Sequence, residues 1–334
     1  MAQDNDTNQS LKDKADSLAD SLIARRQAMV ADGGGNSPLI VVIGEDHDKP
    51  AHYVFHMALM RRLADSGQAL FCAFELPHND SSESGAAASD PAAFMASGGA
   101  PVADHARMTL FNFLLARDIP AAFVDAAMVK TDRGAFLDAA DDSTGRAIRD
   151  VFNPSAEGAP IPVSSADGLR IRNHHMAGSA TGNAQAQQAD IILHICGNMH
   201  VAGFSWHSHQ FASVDSLAAR YQQNGHDVAA VTLCTGIYDE VTIPAREILD
   251  GDACFFVAGL PEATAAYDPA TDRPHPHVKA DMTSRAAEAA CLDALLSQAE
   301  LAGDYLTPDD LAARRAAQRA PSGDPAPSGG ALRR

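Results

Sequence analysis

The chain has 334 residues, 46% of them hydrophobic, which is enough apolar material for one sizeable core. A formal net charge of −18 argues against a nucleic-acid phosphate footprint and against an anionic membrane surface. The five cysteines stand singly, with no CxxC pair, so neither a thiolate metal site nor a redox motif is suggested and a reducing compartment fits best.

The N-terminal thirty residues carry no apolar signal core, and no run approaches the roughly 18 apolar residues of a membrane span, so the expected location is the cytoplasm. Residues 1–9 are polar. Ser10 can cap a helix running to about Ala31, with Leu11, Ala15, Leu18 and Leu22 on its apolar stripe. Glycines 33–35 stop it. Residues 38–43 form a continuous β-branched run, the pattern of a strand buried on both faces. It ends in Gly44-Glu45-Asp46-His47-Asp48. A helix over 50–66 follows, with Asp48 a candidate N-cap, then a strand over 69–74 that ends at Glu75. Residues 78–101, rich in Ser, Ala, Gly and Asp, are expected to form a mobile insertion over the site.

Further helices are expected over 103–117 and 133–151, with a strand at 121–124 that ends at Asp125. A helix over 165–180 leads to a strand over 190–196, which ends in Gly197-Asn198-Met199-His200. A helix over 211–224, strands at 228–233, 240–243 and 253–258, and helices at 283–302 and 308–318 complete the pattern. The expected organisation is an N-terminal segment and helix (1–36), an α/β domain (37–305), and a C-terminal helix with a disordered tail (306–334). Alternating strands and helices predict an α/β fold, a mainly parallel β-sheet flanked by helices. Ligands in such sheets bind beyond the carboxyl ends of the strands. Three of those ends carry His47, Glu75 and His200, and Asp125 is a fourth candidate.

Two GxxH elements, Gly44 to His47 and Gly197 to His200, each follow a buried strand and suggest two related strand–helix units. Glu45 can fix an imidazole tautomer nearby. Glu75, closing an apolar strand, is a candidate general base, because burial raises a carboxylate into that range. His52 and His56 stand four apart on a helix, a spacing that suits a metal ion but equally a half-exposed polar face. Arg172 and Asn173 sit in an Arg-Asn-His-His-Met-Ala run; Arg172 could hold a substrate carboxylate or phosphate, and Asn173 could polarise a carbonyl. No GxSxG, P-loop or GxGxxG motif occurs, which removes the usual serine-hydrolase, NTPase and dinucleotide readings.

In order along the chain, Ile43-Gly-Glu-Asp-His-Asp48, Phe74-Glu-Leu-Pro77, Arg172 to Ala177 and Cys196-Gly-Asn-Met-His200 resemble the superfamily of erythromycin esterases, ChaN-like haem-binding proteins and Tiki/TraB proteins. The first motif is most similar to the ChaN branch. The resemblance covers about 40–205. It implies an α/β fold in which His47, Glu75, Arg172 and His200 face one cleft. It also implies either hydrolysis, of lactones in the esterase branch or of peptides by metal-dependent enzymes in the Tiki branch, or haem binding in the ChaN branch. The expected function is hydrolysis of an ester or amide bond in a small molecule or peptide. The catalytic set is His47, Glu75, His200 and Glu45, with Arg172 and Asn173 binding substrate. A divalent metal on His47, Glu75 and His200, or less strongly on His52 and His56, is compatible with this set. The alternative is a haem- or metal-binding protein without turnover. No nucleic-acid or membrane partner is expected, and a homodimer is compatible with the sequence.

Overall fold

The computed structural model describes residues 10–33, 37–45, 49–77, 90–92, 105–126, 151–152, 161–162, 166–201, 205–206, 209–210, 216–235, 254–260, 292–305 and 313. The expected 78–101 insertion apart from residues 90–92, the helix over 133–151 up to residue 150, the strand at 240–243 and nearly all of the C-terminal segment lie outside the described residues.

Helix α1 (Leu11–Ala31) begins at Ser10, whose hydroxyl accepts from the Asp13 N–H at 3.1 Å while the Asp13 carboxylate accepts from the Ser10 N–H, a reciprocal cap. Strand β1 (Leu39–Glu45) is buried along its whole length and takes in Gly44 and Glu45, two residues beyond the expected end. Helix α2 (Pro50–Asp65) starts with proline at its first position and has Lys49, not Asp48, at the N-cap, with no side-chain cap bond. Proline has the helical φ preset and no N–H to satisfy there, so this start is tolerated without a cap. Ala51 to Met60 are all buried, because the helix is apolar nearly all round and lies between other elements.

Strand β2 (Leu70–Pro77), helix α3 (His105–Ala116) and strand β3 (Ala121–Asp125) follow. Residues 151–152, expected to end a helix, are instead strand β4 (Val151–Phe152), paired antiparallel with β5 (Ile161–Pro162). Helix α4 (Ala166–Gln187) runs seven residues past its expected end at 180. Strand β6 (Ile191–Gly197) passes directly into a single helical turn, α5 (Asn198–Val201). A small hairpin, β7 (Ser205–Trp206) with β8 (His209–Gln210), precedes helix α6 (Leu217–Gln223) and strands β9 (Val228–Thr235) and β10 (Cys254–Leu260). Residues 292–298 are helical.

The main sheet has six strands in the order β10-β9-β1-β6-β2-β3, and every pairing in it is parallel. The fold is α/β. Strand parity divides the core in two. Leu39, Val41 and Ile43 of β1, with Cys72 and Phe74 of β2, pack on the face covered by α1, α2 and α3. Ile40, Val42, Phe71, Ala73 and Cys196 pack on the face covered by α4 and α6. Arg25 and Arg26 of α1 bind Asp227 and Asp190, the residues that lead into β9 and β6, and so fix the helix against the amino ends of the strands. The chain leaves β1 for one face of the sheet and β6, its neighbour, for the other. The strand order therefore reverses between β1 and β6, and the carboxyl ends there form the crevice where open α/β sheets bind ligands.

Candidate functional site

Three strand ends bring their polar residues to the edge formed by β6, β2 and β3. Glu75 sits near the end of β2, on the face of α4. It accepts from Arg172 Nη2 and lies 3.0 Å from His200 Nε2, both at Oε1; its Oε2 accepts from the Gly197 N–H at 2.6 Å. Asp125, the last residue of β3, is fully buried and takes Arg172 in a forked arrangement: Nε lies 3.1 Å from both carboxylate oxygens and Nη2 lies 2.6 Å from Oδ2. The Ala126 N–H adds a further bond to Asp125 Oδ1 at 2.8 Å. One guanidinium thus bridges two carboxylates that the chain holds fifty residues apart. Burial works against the Arg172 charge, but Glu75 and Asp125 outweigh it and hold the group above its ordinary pKa.

His200 is placed by α5. Its Nδ1 lies 2.5 Å from Asn173 Oδ1, and Nε2 faces Glu75. Each ring nitrogen of His200 thus faces a side-chain oxygen. Glu75 accepts at once from a guanidinium, a backbone amide and, where Nε2 carries hydrogen, the His200 imidazole. Arg172 Nε and Nη2 are anchored on the protein's own carboxylates.

Gly44 of the first GxxH element serves a close approach of two elements. A Cβ on Gly44 would lie 2.5 Å from Val201 Cγ2 and 3.0 Å from Asn198 Cα, and would collide with the Asn198 amide. Only glycine lets β1 lie this close to α5, the turn that carries His200.

The remaining expected site residues fall elsewhere. His47 lies outside the described residues. Glu45 is buried at the end of β1 but points to the opposite sheet face from Glu75. There it meets His56 of α2, Nε2 to Oε2 at 2.6 Å. His52 and His56 are both fully buried and do not form a half-exposed polar face. His174 and His175 are exposed, whereas Met176 and Ala177 are core. Sequence reasoning missed one buried polar pair: His194, in the middle of β6, lies 2.7 Å through Nδ1 from the Tyr221 hydroxyl of α6. A histidine inside the run Ile-Ile-Leu-His-Ile-Cys was the available signal.

Among the described residues, no group of three or more His, Cys, Asp or Glu side chains is arranged to hold a metal ion. At Glu75 and Asp125 the cation between the carboxylates is the Arg172 guanidinium, and both nitrogens of His200 are engaged. The donors as they stand do not fit a divalent ion. No helix among the described residues is long and apolar enough to cross a membrane.

Comparison with solved structures finds a likeness to "The structure of the type III effector HopBA1", at 11% identity and a TM-score of 0.35, covering 66% of this chain and 87% of that one. No family model and no curated protein matches the chain.

Proposed function

We propose that this chain is a hydrolase of ester or amide bonds, of the kind its resemblance to the erythromycin esterase, ChaN and Tiki group implies. The observation that carries the reading is the convergence of Glu75, Arg172, Asn173 and His200 into one hydrogen-bonded, charge-compensated cluster at the carboxyl edge of a parallel sheet. In this reading the roles divide. His47, two residues beyond Glu45 in the sequence, takes the proton from the attacking water. His200, hydrogen-bonded to Asn173 and Glu75, donates to the oxygen or nitrogen that leaves. Arg172, anchored by Asp125 and Glu75, stabilises the oxyanion that forms at the carbonyl. Water supplies the hydroxyl of the acid product, the leaving group departs with the proton from His200, and the cycle closes when His47 releases its proton to solvent and His200 takes one up.

The haem- or metal-binding alternative has less support. It draws on His52 and His56, which are sealed in the core, and His56 is engaged by Glu45.

The test is initial-rate hydrolysis of a panel of 4-nitrophenyl esters, lactones and peptide amides by wild type and by His47→Ala, with melting temperatures measured alongside. Loss of at least about a hundredfold in rate, with the melting temperature within a few degrees, is the expected result for a general base. Turnover that survives His47→Ala overturns the reading.

A further inference from the structure

The histidine in the middle of β6 takes no part in the polar cluster, yet its surroundings make it sensitive to acid. His194 is fully buried, with Val42 of β1 and Ala73 of β2 beside it in register and Met176, Ala177 and Ala180 of α4 in the apolar cluster on the same face. Its Nδ1 lies 2.7 Å from the Tyr221 hydroxyl of α6, and its Nε2 makes no hydrogen bond among the described residues. A protonated ring carries N–H on both nitrogens, so Nε2 would bring a charged donor with no acceptor into apolar surroundings. The neighbouring groups offer little relief. On its own strand the Cys196 thiol is buried and held neutral. From α4 comes Arg172, already bound to Glu75 of β2 and Asp125 of β3. His200 of α5 opposes a second positive charge, and Glu75 favours one. On α6 stands Arg220, a further cation, and His226 just beyond the helix lies edge-on to the Tyr221 ring at 6.1 Å.

A buried charge of this kind is relieved when water reaches it, and the element that yields first is the one least secured. α6 has seven residues, short of the roughly 12 at which an isolated helix is even marginal. It is held by its Ser216 cap and by Leu217, Ala218 and Tyr221 in the apolar cluster. α4, by contrast, has 22 residues and is pinned to two strands through Arg172, and β6 is hydrogen-bonded to a strand on each side. We propose that His194 and Tyr221 form an acid-sensitive latch: protonation of His194 releases α6, while the parallel sheet and α4 stay folded. α6 also lies against α5, the turn that carries His200, so its release loosens the support of the polar cluster. The latch stands independently of the hydrolase reading, because its readout is the opening of α6 and not turnover.

Amide hydrogen exchange of the full-length protein, measured from about pH 7 to about pH 5 and corrected for the intrinsic pH dependence of exchange, reads the opening directly. Protection of the α6 amides at 220–223 is expected to fall at least about tenfold over that range, because His194 takes up a proton at its ordinary pKa when α6 is open and resists one when it is closed. In His194→Gln the fall is expected to shrink below about threefold, whereas His226→Gln should keep it. A second measurement on wild type serves if His194→Gln fails to fold. In urea up to about 1 M the α6 amides should exchange at nearly unchanged rates, as a local opening exposes little surface, while those of Ile191 to Cys196 in β6 should accelerate. Protection of α6 that stays constant between pH 7 and pH 5, a tenfold fall that persists in His194→Gln, or α6 amides as sensitive to urea as those of β6 would each overturn the proposal.

Discussion

His194 should set a measurable part of the acid limit of this fold. Its ring is fully buried beneath α4 and α6, hydrogen-bonded to Tyr221. Burial lowers its pKa from the ordinary 6.5 to about 3; nearby His200 pushes the same way, and Glu75 opposes. The folded state therefore keeps the ring neutral over a pH range in which the unfolded chain takes up a proton. With the folded pKa depressed, this group's contribution is fully present above about 6.5 and is lost as pH falls towards 3. The loss amounts to about 2–3 kcal/mol between roughly pH 6 and pH 4. His194→Gln keeps a hydrogen-bonding partner for Tyr221 and does not titrate. Unfolding free energies from urea titrations, measured for both proteins from neutral pH down to about 4, should converge as pH falls, because wild type alone loses about 2–3 kcal/mol. Other carboxylates and histidines contribute alike to both proteins and cancel in the difference. Two curves that stay parallel to within about 0.5 kcal/mol would mean that His194 is protonated inside the fold, and would refute the argument from burial.

Three further outcomes follow from the same structure. Arg172→Leu leaves Glu75 and Asp125 without their shared counter-ion, at 10% and 1% side-chain exposure, and should cost about 3–5 kcal/mol by urea unfolding; a loss below about 1 kcal/mol would mean that the carboxylates are solvated. Gly44→Ala must force β1 and α5 apart, since the new methyl group would collide with Asn198, and should destabilise by about 1–3 kcal/mol while displacing His200; an unchanged His200 imidazole NMR signal would contradict the close approach. Burial pushes the thiols of Cys72 and Cys196 up, so peptide mapping after iodoacetamide at mildly alkaline pH should find both unlabelled in the native protein and both labelled in urea; rapid native labelling of either would show that its strand opens.

The strands were legible because a strand buried on both faces leaves a nearly continuous apolar run, unbroken in residues 38–43 and interrupted only by His194 in residues 191–196. The strand ends were legible for the same reason: Glu75 and Asp125 are the first charges after each run, and His200 follows the third run closely. Partners were not legible. Glu45 stands two residues from His47, but its hydrogen bond goes to His56, eleven residues away and brought back by α2. The spacing of His52 and His56 gave one helix face correctly, yet spacing says nothing of what covers that face, and here α2 is buried nearly all round. Helix α4 continues past the expected end at 180, through Gly182. Thr181 and Asn183 return their side chains to the carbonyls of Ala177 and Ser179 at 2.9 Å, and Ala180 and Ala184 stay buried against the sheet, so the helix continues.

Strand parity decides which of the acidic residues can work together. β6 aligns Ile195 with Ile43 of β1 and with Phe74 of β2, so these three share a face. Glu45 is two residues beyond Ile43 and keeps that face, towards α2. Glu75 is one residue beyond Phe74 and turns to the other face, towards α4 and Arg172. A slip of β2 by one residue would exchange the faces, placing Glu75 over α2 and leaving Arg172 with Asp125 alone. Such a slip would also bury Phe71 and Ala73 among the wrong partners, so the apolar alternation that holds β2 in register is the same constraint that delivers Glu75 to His200. Gly44 acts on the same edge from the other side. It lets α5 settle against β1, so that His200 reaches across β6 towards β2. The crevice between β1 and β6 is thus floored by α5, and the polar cluster stands beside it over β6, β2 and β3.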